Sequence, residues 1–303
     1  MYEIRAIEVP GPGFAIYYNQ EKQMEILKVG ATLNFLSLSG KSLIEGYDEQ
    51  TLQGFEWYRS AVLFPFPNRL DKGTYIHQGQ KFAFPINEPA NQNALHGFVY
   101  KELFELASQE VSQEDFCKLS LQLNYDGDYE YYPFKFELTV HYNLSPNQLK
   151  IEFEVKNTGN MNLPYGIGWH QYFMMGGMVN HYQLSFPRCK QIELDARQLP
   201  TGNFISYQFF EEEKEIAEIK LDKGFKMETD GYEVTLRTEQ NEVLTLQVEN
   251  QSYLQVFIPD DRRRIALEPM SSGIDLFNSK EGLINLQPGQ SQSHLTFLNY
   301  QMK

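Results

Sequence analysis

A spacing of two constrains this chain more than any other feature. In KFELTVHYNL (135–144), Phe136, Leu138, Val140, Tyr142 and Leu144 share one side, and in QLKIEFEVKN (148–157) Leu149, Ile151, Phe153 and Val155 do the same. Successive side chains of an extended strand point to opposite faces, so such runs bury one face and wet the other. The Ser145-Pro146-Asn147 between them is turn chemistry, which makes the pair an antiparallel hairpin. Cys117–Tyr125, Tyr232–Leu236, Val243–Val248 and Tyr253–Ile258 repeat the pattern, with Gly, Asn, Asp and Pro in the gaps. Helical evidence is confined to FFEEEKEIAEI (209–219), which reads as one short helix. No fixed repeat, low-complexity tract or Pro/Ser-rich linker divides the chain. The expectation is an all-β fold of many antiparallel strands, one domain over residues 1–303, large enough to form a multi-sheet sandwich.

Charge narrows the partners. With 40 acidic against 26 basic side chains the formal net charge is −14, the wrong sign for nucleic acid, whose recognition needs clustered Lys and Arg. The one basic run, Arg262–Arg264, follows Asp260-Asp261 and reads as a solvated turn. No stretch approaches the 18 or so consecutive apolar residues of a membrane span, and the N-terminus lacks a basic segment followed by an apolar one. A soluble cytoplasmic protein is the expectation. The two cysteines, Cys117 and Cys189, match no metal or redox spacing, and Cys117 lies on the apolar side of its run as a buried thiol.

Six histidines offer acid–base chemistry. His141 alternates onto the polar side of its strand, and His77, His181 and His294 lie among ordinary polar neighbours, so these four are expected to be exposed and idle. His96, in NQNALHGF, and His170, in PYGIGWHQYF, stand beside glycines that let backbone approach closely. There is no H-E-x-x-H, no close His/Cys pair, no G-x-S-x-G and no Gly-rich phosphate loop, so neither a metal site nor a nucleotide cofactor is expected. Two histidines and a carboxylate are general acid–base equipment. Glu268 is the carboxylate least easily dismissed, because it follows the apolar Ile265-Ala266-Leu267 and precedes Pro269. Read by themselves, Asp222 is an ordinary Asp-x-Gly turn residue and Arg69 a surface arginine.

FPNRLDKGTY (66–75), LHG (95–97), YGIGWHQYF (165–173), LDKGF (221–225), RIALEPMSSGIDLFN (264–278) and LINLQPGQS (283–291) occur in that order. Together they resemble the aldose 1-epimerase family, the galactose mutarotases, across most of the chain. The resemblance implies a galactose-mutarotase-like β-supersandwich with an open carbohydrate cleft and no cofactor. It implies Glu268 as general base, His170 as general acid and His96 as a second histidine near the sugar ring oxygen. Asn68, Arg69 and Asp222 would hold sugar hydroxyls. Trp169 and Tyr172 either screen His170 from water, offer a sugar a stacking surface or pack the core.

The partner implied is a small neutral carbohydrate, and the activity is interconversion of α and β anomers of a free hexose. The alternatives are a hexose-6-phosphate 1-epimerase and a carbohydrate-binding protein without turnover. Three positions depart from the family pattern: Phe98 after LHG, Met174 after YF, and Phe134 in YPF, each expected to bear on pocket shape and so on sugar identity. The arginine run comes just before the strand leading to Glu268, and strand direction is expected to keep it away from the cleft.

Overall fold

The computed structural model describes residues 1–112 and 115–302. The expected hairpin forms with the expected faces. Phe136–Ser145 pairs antiparallel with Gln148–Asn157, Ser145 opposite Gln148, and every apolar residue named above on these strands is buried. These strands lie inside a nine-stranded sheet. Its order runs Glu105–Val111, Cys117–Tyr125, Phe136–Ser145, Gln148–Asn157, Ser291–Met302, Glu242–Glu249, Gly231–Arg237, Gln183–Ser185, Lys214–Glu215.

A seven-stranded sheet packs against it. The order is Pro200–Tyr207, Cys189–Leu194, Asp222–Met227, Tyr253–Phe257, Ile265–Met270, Gly168–Phe173, Ala61–Leu63. A five-stranded sheet from Tyr2–Ile7 to Lys41–Ser42 flanks them, and the pairings between the named strands are antiparallel. One apolar cluster joins all three sheets, with Ile26 and Leu33 from the five-stranded, Val140 and Ile151 from the nine-stranded, and Trp169, Phe173, Val256 and Leu267 from the seven-stranded.

Residues 209–219 are not a helix. They form turns and the two-residue strand Lys214–Glu215, with only Phe210 and Ile216 buried. The acidic run EEEKE has helix-forming residues but leaves the middle of the segment without an apolar side chain, and a short isolated helix is marginal without an apolar face. His294 is not exposed either. It is fully buried, with Tyr165 Oη 3.1 Å from Nε2 and the Asn250 carbonyl 2.7 Å from Nδ1. Both cysteines are buried free thiols, as expected of Cys117. Among the described residues no helix is long and apolar enough to cross a membrane.

Candidate active site

The seven-stranded sheet turns one face to the core and the other to a cleft, and alternation decides which side chains go where. On Gly168–Phe173, Trp169 and Phe173 enter the core, while His170 and Tyr172 face the cleft. Trp169 is therefore packing, and Tyr172 is the cleft aromatic. On Ile265–Met270, Leu267 faces inward and Glu268 outward. The register fixes their meeting. Gly168 pairs with Met270 and Gln171 with Leu267, which sets His170 opposite Glu268; Gln255 pairs with Glu268 on the other side, and Gly224 with Gln255. Gly224, Gln255, Glu268 and His170 thus form one row across the sheet. Asp222 lies one row over, paired with Phe257.

Residues from three segments close over this row. Arg69–Asp71 and Asn93–Leu95 pair antiparallel, Arg69 opposite Leu95, and carry Asn68 and His96 at their ends. Trp57 and Tyr58 come from a third segment. The resulting cleft of about 240 Å³ is lined by Trp57, Tyr58, Asn68, Arg69, Leu95, His96, His170, Tyr172, Asp222, Gln255, Phe257 and Glu268. All six residues singled out from the sequence meet there. Phe98, Met174 and Phe134 do not line it, and Phe98 packs against Tyr125 and Tyr129 in the core.

His170 Nε2 stands 3.4 Å from Glu268 Oε1, with both side chains nearly inaccessible. Burial raises the Glu268 carboxyl well above its usual range; the charge of Asp222 adds to this and that of Arg69 opposes it. Burial likewise pushes His170 down to about 4. Both shifts have one cause, the cost of charge away from water, and both favour a neutral pair. A proton passed between the two would make their titration that of the couple rather than of either residue. Glu268 Oε2 is buried and makes no hydrogen bond within the protein, unusual for a carboxylate oxygen and open to a ligand.

His96 is fixed differently. Its Nδ1 accepts the Asn68 backbone N–H at 3.1 Å, and its backbone N–H donates to the Asn68 carbonyl at 2.9 Å. Burial holds its pKa well below normal, aided by repulsion from His170 and Arg69. A neutral imidazole accepting at Nδ1 carries its proton on Nε2, so His96 offers one N–H donor.

Arg69 is not a free surface arginine. Its Nε and Nη2 reach Glu88 at 2.8–3.0 Å, and Glu88 also accepts from Asn91 and Asn93. Burial works against the Glu88 carboxylate, but hydrogen bonds from Arg69, Asn93 and Asn91 hold its pKa below the usual range. Asn68 Oδ1 accepts the Arg69 backbone N–H at 2.9 Å, which seats the base of that side chain. Asp222 accepts from Gln255 Nε2 at 2.8 Å and opens to the cleft. Its carboxyl is raised by the protein around it, with Arg69 and Gln255 working against the shift.

Two features escaped the sequence. Glu88, which orients Arg69, lies in a loop 19 positions away with no motif around it. The second is the segment Phe55–Ser60, where Phe55, Trp57, Tyr58 and Ser60 all hold positive φ of 48–60°. Each such conformation in a residue other than glycine costs roughly 1–3 kcal/mol and persists only where the surroundings enforce it. Here they do. The Ser60 N–H bonds the His170 carbonyl at 2.8 Å and its hydroxyl bonds Gln171 Oε1 at 2.7 Å, while the Tyr58 ring lies 4.7 Å from His96 and 6.2 Å from His170.

The arginine run is also more than a solvated turn. Arg264 is nearly buried, paired with Glu45 and Asp261, and its guanidinium lies 5.7 Å from the Trp57 ring and 5.9 Å from that of Tyr172. Its backbone precedes the strand at the end far from Glu268, but a long side chain reaches back behind the cleft wall. Only Arg263 of the three is fully exposed.

Residues 17–298 match the family model described as aldose 1-epimerase. The chain is 29% identical over 281 residues to the uncharacterized protein YihR of Escherichia coli (strain K12), covering 90% of this chain and 88% of that protein. To the galactose mutarotase of Bos taurus it is 23% identical over 204 residues, 63% of this chain and 56% of that protein. Among solved structures it superposes on a galactose mutarotase-like protein from Clostridium acetobutylicum with a TM-score of 0.88 at 20% identity, covering 100% of this chain and 99% of that one. On a galactose 1-epimerase from Lactobacillus acidophilus NCFM the TM-score is 0.83 at 15% identity, covering 99% and 98%. The structural matches establish the galactose-mutarotase-like sandwich. With the family model spanning nearly the whole chain, the protein belongs to the aldose 1-epimerase family.

Proposed function

We propose that the protein interconverts the α and β anomers of a free neutral hexose, with Glu268 and His170 as the proton-transfer pair. The observation that carries this reading is their placement 3.4 Å apart across one row of the sheet at the floor of the cleft. Ring opening takes the proton from the C1 hydroxyl, breaks the C1–ring-oxygen bond and delivers a proton to the ring oxygen. Rotation about C1–C2 and closure reverse these transfers. Base and acid must therefore be present together, and each must serve in both directions. With one proton between them, ionised Glu268 with protonated His170 supplies that combination, and the tautomer with neutral groups regenerates it. The polar groups of a bound sugar favour the charged tautomer more than the empty cleft does. His96 donates its Nε2–H to the ring oxygen or a neighbouring hydroxyl, and Arg69, Asn68 and Asp222 hold the remaining hydroxyls.

The test is polarimetry on freshly dissolved α-glucose and α-galactose. A decay no faster with protein than without it would exclude the reading. Neutral sugars should also be preferred. Among the described residues lining the cleft, Arg69 is the one Lys or Arg, and Glu88 already occupies its Nε and Nη2. A phosphate needs such donors in bidentate or clustered reach. The catalytic efficiency for glucose 6-phosphate should fall well below that for glucose in one buffer, and the reverse order would point to a phosphate site.

Removing Glu88 releases Arg69. In Glu88→Ala the KM for the preferred hexose should rise about 10-fold, as for loss of one charge-assisted hydrogen bond, with kcat changed much less. If instead kcat falls and KM stays fixed, Glu88 acts on the proton transfer and not on binding.

A further inference from the structure

Trp57 stands outside what one hexose ring needs. It is 46% exposed although it lines the cleft, whereas His170, Glu268, His96, Asn68 and Gln255 there are all buried. Its ring lies 6.4 Å from Phe257 at an interplanar angle of 21°, and Phe257 belongs to the outer row that carries Asp222. Trp57 is therefore at the mouth, beside the open edge. Exposing an indole on a backbone held at φ 60° is unfavourable twice over, in apolar surface left wet and in conformation. Arg264 fixes the orientation from behind, itself tied to Glu45 and Asp261.

At about 240 Å³ the cleft is smaller than the roughly 300–1,000 Å³ typical of pockets that enclose drug-sized ligands. Anything joined to the reacting ring must leave through the mouth. A pyranose presents an apolar C–H face to an aromatic plane, and an exposed, rigid indole suits it because little side-chain freedom is lost on contact. We propose that Trp57 is a specificity-determining residue, a stacking platform for the second ring of a reducing disaccharide whose reducing ring occupies the cleft. This rests on the anomer-exchange reading given above.

Two measurements test it. The first is the ratio of catalytic efficiencies, maltose or lactose over glucose or galactose, in the wild type, Trp57→Ala and Trp57→Phe. The ratio should drop about 3- to 10-fold in the alanine variant and largely recover in the phenylalanine one. An unchanged ratio would overturn the platform while leaving anomer exchange intact. The second needs no turnover. The chain has two tryptophans and Trp169 is fully buried, so indole accessible to a quencher is that of Trp57. Maltose or lactose should protect the emission from acrylamide and shift it to the blue, with glucose or galactose at equal occupancy protecting it less. Equal protection by both would overturn the proposal. Absence of anomer exchange with every sugar, alongside selective protection by the disaccharides, would overturn the catalytic reading and uphold Trp57 as a sugar contact.

Discussion

Glu268→Gln should lose about 10²–10⁴-fold in kcat for anomer exchange and yet melt at a higher temperature than the wild type at pH 8. Both effects come from one fact, a carboxyl buried at 2% exposure whose pKa is raised by burial and by Asp222. A group whose folded pKa lies above its unfolded value of about 4.3 contributes its stability below that value, and the contribution is lost as pH rises through the folded pKa. At pH 8 the wild type therefore bears the cost of either desolvating a charge or keeping a proton that the unfolded chain would release. Glutamine has nearly the same shape and does not titrate. Its advantage should be present at pH 8 and vanish near pH 4, where the wild-type carboxyl is protonated in both states. Thermal melts of the two proteins at both pH values read this directly. A variant less stable than the wild type at pH 8 would show that the Glu268 carboxylate is held by contacts stronger than its burial, and the low activity would then need another explanation. Activity gained at the expense of stability is common where a charge must sit in a dry site.

The parts of this molecule that were legible in the sequence are those with one dry and one wet face. Phe136–Ser145 and Gln148–Asn157 alternate because the outer side of the nine-stranded sheet meets water, and the faces read from the sequence are the faces observed. The strands of the candidate site are different. Gly168–Phe173 and Ile265–Met270 are buried at every position, since the core covers one face and the cleft segments cover the other. Alternation is silent there; glycines beside His170 and the apolar run before Glu268 singled the two residues out, and the family motifs supplied their roles. What escaped has physical causes too. Glu88 meets Arg69 through tertiary folding alone, and nothing in FEWYRS announces a run of left-handed residues, which sequence patterns associate with glycine. His294 looks exposed in QSQSHLTF because its neighbours are polar, but alternation turns His294 inward toward Tyr165. The acidic segment 209–219 failed as a helix for want of an apolar stripe.

His170→Asn should lose activity on the same scale as Glu268→Gln, and the double variant should lose little more than the worse single one. Independent contributions multiply, so two separate acid–base groups would give a double variant slower by the product of both factors. His170 and Glu268 are not separate. They face each other at 3.4 Å on adjacent strands, both out of water, and in the proposed reading one proton serves the pair. Once either partner is gone the other can neither receive that proton nor return it, so its removal takes away nothing further. The pH profile carries the same logic. In the wild type the acid limb of kcat/KM reports protonation of the pair to its two-proton form, and burial sets the His170 pKa near 4, far below the ordinary value of about 6.5. The pair is then in its one-proton form across neutral pH, and activity should stay level until the pH falls toward that value. In His170→Asn the residual rate should lose this limb and show no dependence on the Glu268 carboxyl, which acts only with its partner. The measurement is the rate of optical rotation change for wild type, both single variants and the double variant from pH 4 to 9, with near-ultraviolet circular dichroism confirming that each remains folded. Multiplicative losses in the double variant, or a wild-type acid limb near pH 6.5, would show that the two residues titrate and act independently, and the shared-proton assignment would fall.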